Sequence, residues 1–332
     1  MTTMTTTTTT TTATTTKPVL DTVHSAQADP GDQMLALRNP FPADSRIVMN
    51  EEEHKYYLDG NKTFPISVSG VWSKKFPEFD AEGCIKRMYG AWARNPGSKY
   101  FQLIQYLKIS LRMNDEAIKH EIAKYWQDNG NFQADLGTEM HRSIELYLNN
   151  ANKDLSSDCT PEIQQFFTFF EKEICLRSWV PFRTEWSIFD EEFMVAGQID
   201  SVFVDSGGSL HMVDWKRCKD KLNKDMNCWN RFGLGCCSHL PDHAFSHYCV
   251  QQNLYRLILK RNYGVVLQSM HLAQFHPSQR EYNFVEVPVM EELALQLLEE
   301  ERSVNAEASE NVPNTINNVN EQESAVRLVG IF

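Results

Sequence analysis

Apolar residues in the first half of the chain recur at the spacing of helices. Residues 80–92, 114–128, 137–148 and 161–175 each repeat them every three or four positions, as Met140, Ile144 and Leu148 do. Residues suited to helix starts stand at the beginnings of these stretches: Asp80, Asn114 or Asp115, Thr138 and Pro161. The pattern therefore predicts four helices before residue 176.

After residue 180 the hydrophobic period changes from helical to alternating, which is typical of strands. Strands are predicted at 182–188, 194–204, 210–216, 265–275 and 282–287, and helices at 244–261 and 289–302. A turn at 205–209 joins the second and third of these strands into a hairpin. Another hairpin turn is expected at 56–62, followed by a short strand at 64–69. This order predicts an α/β fold with a central mixed β-sheet flanked by helices.

The two ends of the chain differ in composition from its middle. Residues 1–16 are mostly threonine, and the chain from Ser303 onward is rich in Asn, Glu and Ser. Such segments bury too little apolar surface to offset the entropy of ordering them. We therefore expect a disordered Thr-rich segment over 1–45, a single domain over 46–302 and a disordered acidic tail over 303–332.

The formal net charge of −12 argues at first against a nucleic-acid partner. Residues 290–332, however, carry nine Glu against two Arg, so much of the negative charge lies near the C-terminus. A metal site also concentrates carboxylates. The charge therefore does not exclude nucleic acid.

Eight cysteines are present, and no apolar stretch near the N-terminus resembles a secretory signal. Free thiols in a reducing, intracellular compartment are expected, with nucleus, cytoplasm and mitochondrion all left open. No apolar run approaches the ~18 residues of a membrane span, so no membrane partner is expected.

The predicted hairpin carries the candidate chemistry. Asp214 and Lys216 are two residues apart on one strand and share a face, while Asp200 lies on the partner strand, pairing near position 214 or 215. Two carboxylates that lie this close repel each other, and a divalent cation relieves the repulsion. Oxygen ligands select a hard ion, Mg²⁺ or Mn²⁺, which activates water and neutralises phosphoryl charge, with Lys216 assisting the water.

An Asp…Asp-x-Lys arrangement on adjacent strands resembles the PD-(D/E)XK nuclease superfamily, whose core is restriction-endonuclease-like. Further pieces resemble its RecB-like exonuclease branch, which includes mitochondrial, phage and viral-type exonucleases. The branch has a Gly-x-x-x-His-x-x-x-Glu helix, a strand glutamate, a Gln-x-x-x-Tyr helix and a Ser-Val-Thr segment. The corresponding positions here are Gly137, His141 and Glu145; Glu185; Gln251 and Tyr255; and residues 66–69. Two departures are Ile199 in place of proline before Asp200, and Asp214 in place of glutamate.

The resemblance implies a role for each matched residue. It implies metal binding by His141, Asp200, Asp214 and the carbonyl of Trp215, and catalytic assistance by Lys216. Glu145 and Glu185 would support the site, and Gln251 and Tyr255 would line the substrate channel. The implied activity is hydrolysis of DNA, as an exonuclease or an endonuclease, on single strands or duplex ends. DNA repair or recombination is the implied context, with a helicase or a replication or recombination protein as partner.

Other functions remain open at this point. A catalytically silent nucleic-acid-binding module and an RNA-directed nuclease are both compatible with the motifs. The basic run of Arg217, Lys219, Lys221 and Lys224 is either a phosphate contact or a solvated loop.

The cysteines raise two further kinds of metal site. No iron–sulfur cluster is expected, because relatives place three cysteines after the Gln-x-x-x-Tyr helix and none lies there here. A zinc site is a weaker alternative, since no Cys-x-x-Cys pair is present. It would draw on Cys228, Cys236, Cys237, Cys249, His239, His243 and His247.

Overall fold

The computed structural model describes residues 34–149 and 159–310. Its helices are α1 Met34–Arg38, α2 Val68–Ser73, α3 Ala81–Arg94, α4 Phe101–Ile109, α5 Asp115–Asn149, α6 Pro161–Phe169, α7 Ala244–Ile258 and α8 Glu291–Glu310. Its strands are β1 Ile47–Asn50, β2 Lys55–Leu58, β3 Lys62–Thr63, β4 Ile66–Ser67, β5 Val180–Asp190, β6 Val195–Val204, β7 Leu210–Lys216, β8 Leu267–Gln274 and β9 Asn283–Glu286. One-turn 3₁₀ helices cover Pro42–Arg46 and Gly235–Cys237, and π-turns extend α6 over Phe170–Cys175 and α7 over Leu259–Tyr263.

A six-stranded mixed sheet forms the centre of the molecule. Its main path runs β4-β6-β7-β8-β9, and β5 pairs with the other side of β6. The pairs β5/β6, β6/β7 and β8/β9 are antiparallel, whereas β4/β6 and β7/β8 are parallel. Strands β1 to β3 form a separate small antiparallel sheet. The predicted α/β class, with a mixed sheet flanked by helices, is confirmed.

Helices cover both faces of the main sheet. Buried residues of α2, α7 and α8 pack on one face, and those of α5 and α6 pack on the other. Strand β7 shows the alternation, because Met212 belongs to the first cluster while Val213 and Trp215 belong to the second. Asp214 and Lys216 therefore lie on the face that α7 covers.

A helical extension, formed by α3, α4 and the first half of α5, has a core of its own. Ile85, Ile104 and Ile122 are buried there, and the Trp126 indole donates a 2.7 Å hydrogen bond to the Tyr100 hydroxyl. The second half of α5 continues from this extension onto the sheet.

Helix α5 differs from the prediction, since two predicted helices, 114–128 and 137–148, are one helix. Gly130 and Gly137 weaken the helical pattern between them, but a Cβ at either position would meet no atom within 4 Å. These glycines lie on an open surface, and packing at both ends of the helix keeps the segment between them helical.

The strand predicted at 64–69 is observed only as β4, Ile66–Ser67. It ends at Ser67, whose hydroxyl accepts a 3.1 Å hydrogen bond from the Gly70 amide and so caps α2. Helix α4 was not predicted.

Parts of the segments predicted to be disordered are folded. Leu35 of α1 is buried, and Asp44 accepts hydrogen bonds from Arg183 and Trp186 of β5. At the other end α8 continues to Glu310. Residues 1–33 and 311–332, which make up the rest of these predicted segments, lie outside the described residues, as do residues 150–158. No helix in the described part of the chain is both long and apolar enough to cross a bilayer.

Candidate metal centre

The β6–β7 hairpin brings the two predicted aspartates together. Ser201 pairs with Val213, so Asp200 lies opposite Asp214. The Trp215 amide donates a 2.7 Å hydrogen bond to Oδ2 of Asp200, which holds this carboxylate at the end of the hairpin. The predicted pairing of position 200 with 214 or 215 is confirmed.

His141 reaches the hairpin from α5. Its Nδ1 lies 3.6 Å from Asp200 Oδ2, and its Nε2 lies 3.0 Å from the Trp215 carbonyl oxygen. Burial, together with the positive charge of Lys216, lowers the pKa of His141 to about 4. The imidazole is therefore neutral at pH 7, which is the form that binds a metal.

Glu185 completes the group from β5. It lies opposite Asp200, between the pairs Thr184–Ser201 and Trp186–Ile199. Its φ of +42° is left-handed, a strained conformation for a glutamate inside a strand. Ligand atoms of His141, Glu185 and Asp200 all lie within 4.8 Å of one another. Within residues 34–149 and 159–310, this is the one group of three or more His, Cys, Asp or Glu that could hold a metal ion.

Asp214 and Lys216 lie beside this group on β7. Asp214 is 2% exposed, and the Lys216 ammonium lies 2.5 Å from its Oδ2. The Lys216 side chain is 15% exposed, and its Nζ lies 4.5 Å from the centre of the Tyr248 ring on α7. The ammonium is thus held between Asp214 and Tyr248 and is largely shielded from solvent.

The centre carries more negative than positive charge. Burial raises the pKa of Glu185 well above its usual range, and Asp200, Glu145 and Asp214 raise it further. Burial and the charge of Asp200 raise the pKa of Asp214 to about 6. Burial also raises the pKa of Asp200. A cation would relieve this repulsion, and carboxylate oxygens with one imidazole suit a divalent ion such as Mg²⁺ or Mn²⁺. The residues present therefore fit the expected metal.

Glu145 lies one helical turn after His141 and forms a 2.8 Å ion pair with Arg142. Its charge raises the pKa of Glu185, which places it near the group without making it a member. A supporting role for Glu145 stays a prediction.

Helix α7 brings the predicted Gln251 and Tyr255 to the same side of the sheet. The Gln251 amide donates a 3.2 Å hydrogen bond to the Tyr255 hydroxyl. Burial raises the pKa of Tyr255, with smaller contributions from Asp214 and Asp200. Gly197 permits this approach, because a Cβ there would lie 2.6 Å from Cε1 of Tyr255. Whether these two residues line a substrate channel stays a prediction.

Two tyrosines near the centre were not predicted. Tyr56 is buried on β2, and the charges of Glu185 and Asp200 add to burial in raising its pKa. Tyr248 contacts Lys216 from α7. The sequence carries a signal for Tyr248, since it lies three residues before Gln251 and seven before Tyr255, on the same helical face. It carries none for Tyr56.

The four basic residues that follow β7 differ in their exposure to solvent. Arg217 donates to Glu162 at 2.7 Å and to Gln133 at 2.5 Å, and its side chain is 6% exposed. The Arg217 guanidinium therefore joins α6 to α5, and a phosphate contact by Arg217 stays a prediction. Lys219, Lys221 and Lys224 are exposed, and for them phosphate contact stays a prediction.

All eight cysteines are free thiols. Cys228, Cys236, Cys237 and Cys249 form no metal-binding group of three with each other or with histidines in the part of the chain that is described.

Comparison with known proteins adds little to this geometry. No protein-family model and no curated protein matches the chain. Among solved structures, SSO0001 is 11% identical with a TM-score of 0.24, over 52% of this chain and 70% of that one. A candidate exonuclease from Eubacterium rectale is 16% identical with a TM-score of 0.28, over 49% of this chain and 63% of its own length. Structural similarity at this level supports no conclusion about activity.

Proposed function

We propose that this chain is a metal-dependent DNA nuclease of the PD-(D/E)XK superfamily, in its RecB-like exonuclease branch. The observation that carries the proposal is the convergence of His141, Glu185 and Asp200 within 4.8 Å, beside the Asp214–Lys216 pair. These residues come from α5, β5, β6 and β7. Packing has therefore gathered, at one end of one hairpin, the residue types that phosphodiester hydrolysis needs.

His141, Glu185, Asp200 and Asp214 would hold Mg²⁺ or Mn²⁺, with the Trp215 carbonyl beside them. When bound, such an ion acidifies a water molecule and neutralises charge on the phosphoryl group. Glu185 has an unusual backbone for a strand residue, with a positive φ, and its carboxylate lies close to His141 and Asp200.

Lys216 would act as a charged donor. Burial opposes its charge, but Asp214 and Asp200 outweigh that effect and raise its pKa, so the ammonium keeps its proton at pH 7. It can orient the attacking water and stabilise charge that develops on the phosphoryl oxygens. In this proposal it does not serve as the general base.

DNA is the proposed substrate, with exonuclease action on single strands or duplex ends. The exposed Lys219, Lys221 and Lys224 directly follow the strand that carries Asp214 and Lys216, a position suited to sequence-independent phosphate contacts. Digestion of end-labelled linear DNA beside circular DNA tests the mode of cleavage. Circles that survive while linear ends shorten indicate an exonuclease, whereas cut circles indicate an endonuclease.

The activity itself is tested with purified full-length protein in Mg²⁺, in Mn²⁺ and in chelator, beside Asp214→Ala and Lys216→Ala. Glu171→Ala and Lys172→Ala, two exposed residues on the π-turn after α6, are matched controls. We expect cleavage that needs the metal, is lost in the first pair and is kept in the second. Full activity in both site variants contradicts the site assignment.

Two other results would change the proposed function. Metal-independent DNA binding without cleavage would indicate a silent binding module. Preference for RNA over single-stranded DNA in competition would indicate an RNA-directed nuclease.

A further inference from the structure

The Lys216 ammonium has a second contact, which none of the sequence motifs includes. We propose that Tyr248 is a positioning residue, whose ring face holds the Lys216 ammonium against Asp214 and so fixes where that charge meets the substrate. The proposal rests on the proposed nuclease function and adds one residue to its machinery.

Two groups from different elements define the position of the ammonium. Asp214 Oδ2, on the same strand, lies 2.5 Å from Nζ, and the centre of the Tyr248 ring, on α7, lies 4.5 Å from it. A cation within about 6 Å of a ring centre is attracted by the negative face of the ring, most strongly where water is excluded. The Lys216 side chain is largely shielded, so the attraction is close to its upper range.

Helix α7 provides a rigid support for this ring. His243 caps the start of this helix, because its Nδ1 accepts a 3.2 Å hydrogen bond from the Ser246 amide. Cys249, Val250 and Leu254 of this helix are buried in the hydrophobic core that α7 shares with the sheet. Tyr248 is therefore presented from a packed helix and not from a loop, so the backbone that carries its ring has a defined position.

A neutral ring is suited to this place for an electrostatic reason. Glu185 and Asp200 already lie close together at the centre, and Asp214 lies beside Lys216 next to them. Another carboxylate would add repulsion and would draw the ammonium away from Asp214. An aromatic face attracts the ammonium without a formal charge and restricts a flexible side chain that has four rotatable bonds.

The first test measures the contact without metal or substrate. In protein labelled with ¹³C at lysine Cε, protons of Lys216 that lie over the ring face should resonate upfield, and Lys216→Arg identifies the signal. We expect the upfield position to persist in Tyr248→Phe and to disappear in Tyr248→Leu. A Lys216 signal at the same position in the Phe and Leu variants overturns the proposal.

The second test separates the electrostatics of the ring from its bulk. Phenylalanine with zero to three ring fluorines is placed at 248, since fluorination weakens the negative face while the shape is nearly kept. We expect log kcat to fall with each fluorine, to roughly three- to thirtyfold below the unfluorinated ring, with KM unchanged. The same series at Phe245, a buried ring on α7, should leave kcat unchanged.

The outcomes of the two tests are distinguishable from failure of the proposed function. If kcat is flat across the series at 248, or falls equally at 245, Tyr248 is a packing residue and the proposal is wrong. If the wild-type protein cleaves no nucleic acid, the proposed function fails, while the lysine signal still decides whether the ring holds the ammonium.

Discussion

The two ends of the β6–β7 hairpin both carry aspartate beside histidine, yet they are electrostatic opposites. At the turn end Asp205 accepts hydrogen bonds from the Gly207 and Ser209 amides, and its Oδ2 lies 3.3 Å from Nε2 of His211. These contacts, led by the Ser209 amide, lower the pKa of Asp205. At the open end, burial raises the pKa of Asp200, and burial together with the charge of Asp200 raises the pKa of Asp214.

The difference lies in how each charge is compensated. His211 at the turn end also contacts Ser269 at 2.7 Å and stacks on Trp179 at 4.0 Å, so the polar groups there partner one another. At the open end three carboxylates share one ammonium and a neutral imidazole. Polar groups that satisfy one another, as at the turn end, stabilise the fold. Carboxylates that lack enough positive charge, as at the open end, stabilise the fold more once a cation binds them.

The largest expected effect comes from exchanging one aspartate at each end. Asp200→Asn should reduce the cleavage rate roughly a thousandfold or more, because it removes a proposed metal ligand. Asp205→Asn should keep the cleavage rate and change stability little, because Oδ1 of the asparagine can still accept hydrogen bonds from the Gly207 and Ser209 amides. Single-turnover cleavage and urea unfolding measure the two. Equal loss of activity in both variants would erase the distinction between the ends.

The metal dependence of stability should also separate the ends. Glu185→Gln removes a buried, repelled carboxylate, so the chelated protein should melt at a higher temperature than the wild type. The same variant should bind Mn²⁺ roughly 10–100-fold more weakly. Melting with and without Mn²⁺, together with calorimetric titration, checks both parts. A lower melting temperature in chelator would show that Glu185 is not under repulsion.

Two glycines offer a matched pair of substitutions. Gly197→Ala places a Cβ 2.6 Å from Tyr255 and 3.0 Å from Val68, so it should cost about 1–3 kcal/mol and displace the ring from the centre. Gly137→Ala on the open surface of α5 should be neutral or stabilising by up to about 1 kcal/mol. Thermal unfolding ranks them, and equal stabilities would contradict the close packing at Gly197.

The smallest effect concerns acid stability near the turn end. Burial, with the charge of Arg177, lowers the pKa of His271 to about 4, below its unfolded value of about 6.5. The neutral ring is thus favoured in the folded state, so its stabilisation is complete above pH 6.5 and is lost as the pH falls toward 4. The loss at pH 5.5 should be about 1 kcal/mol. His271→Gln should be less sensitive over this range in urea unfolding, and an unchanged slope would contradict the shift.

The elements near the site were largely predictable because their causes are local. The 205–209 turn and the alternation of β7 place Asp214 and Lys216 on one face and Asp200 opposite them, and all of this information lies within seventeen residues. The spacing of His141 and Glu145, and of Gln251 and Tyr255, follows from helical geometry in the same way.

Other features depend on packing between distant segments, which no local pattern encodes. The reversed φ of Glu185, the arrival of Tyr56 from the small sheet and the burial of Arg217 against Glu162 and Gln133 are of this kind. The continuity of α5 across two glycines is another, since a helix is stabilised mainly by what its apolar face contacts.

The amino-acid sequence by itself determined the α/β class, the register of the hairpin and the residue types at its open end. The tertiary structure decided which of these charges are compensated, and it gathered His141, Glu185 and Tyr248 around them. The physical reason is range. Backbone periodicity acts over a few residues, whereas burial and charge repulsion depend on every segment that packs within a few ångströms.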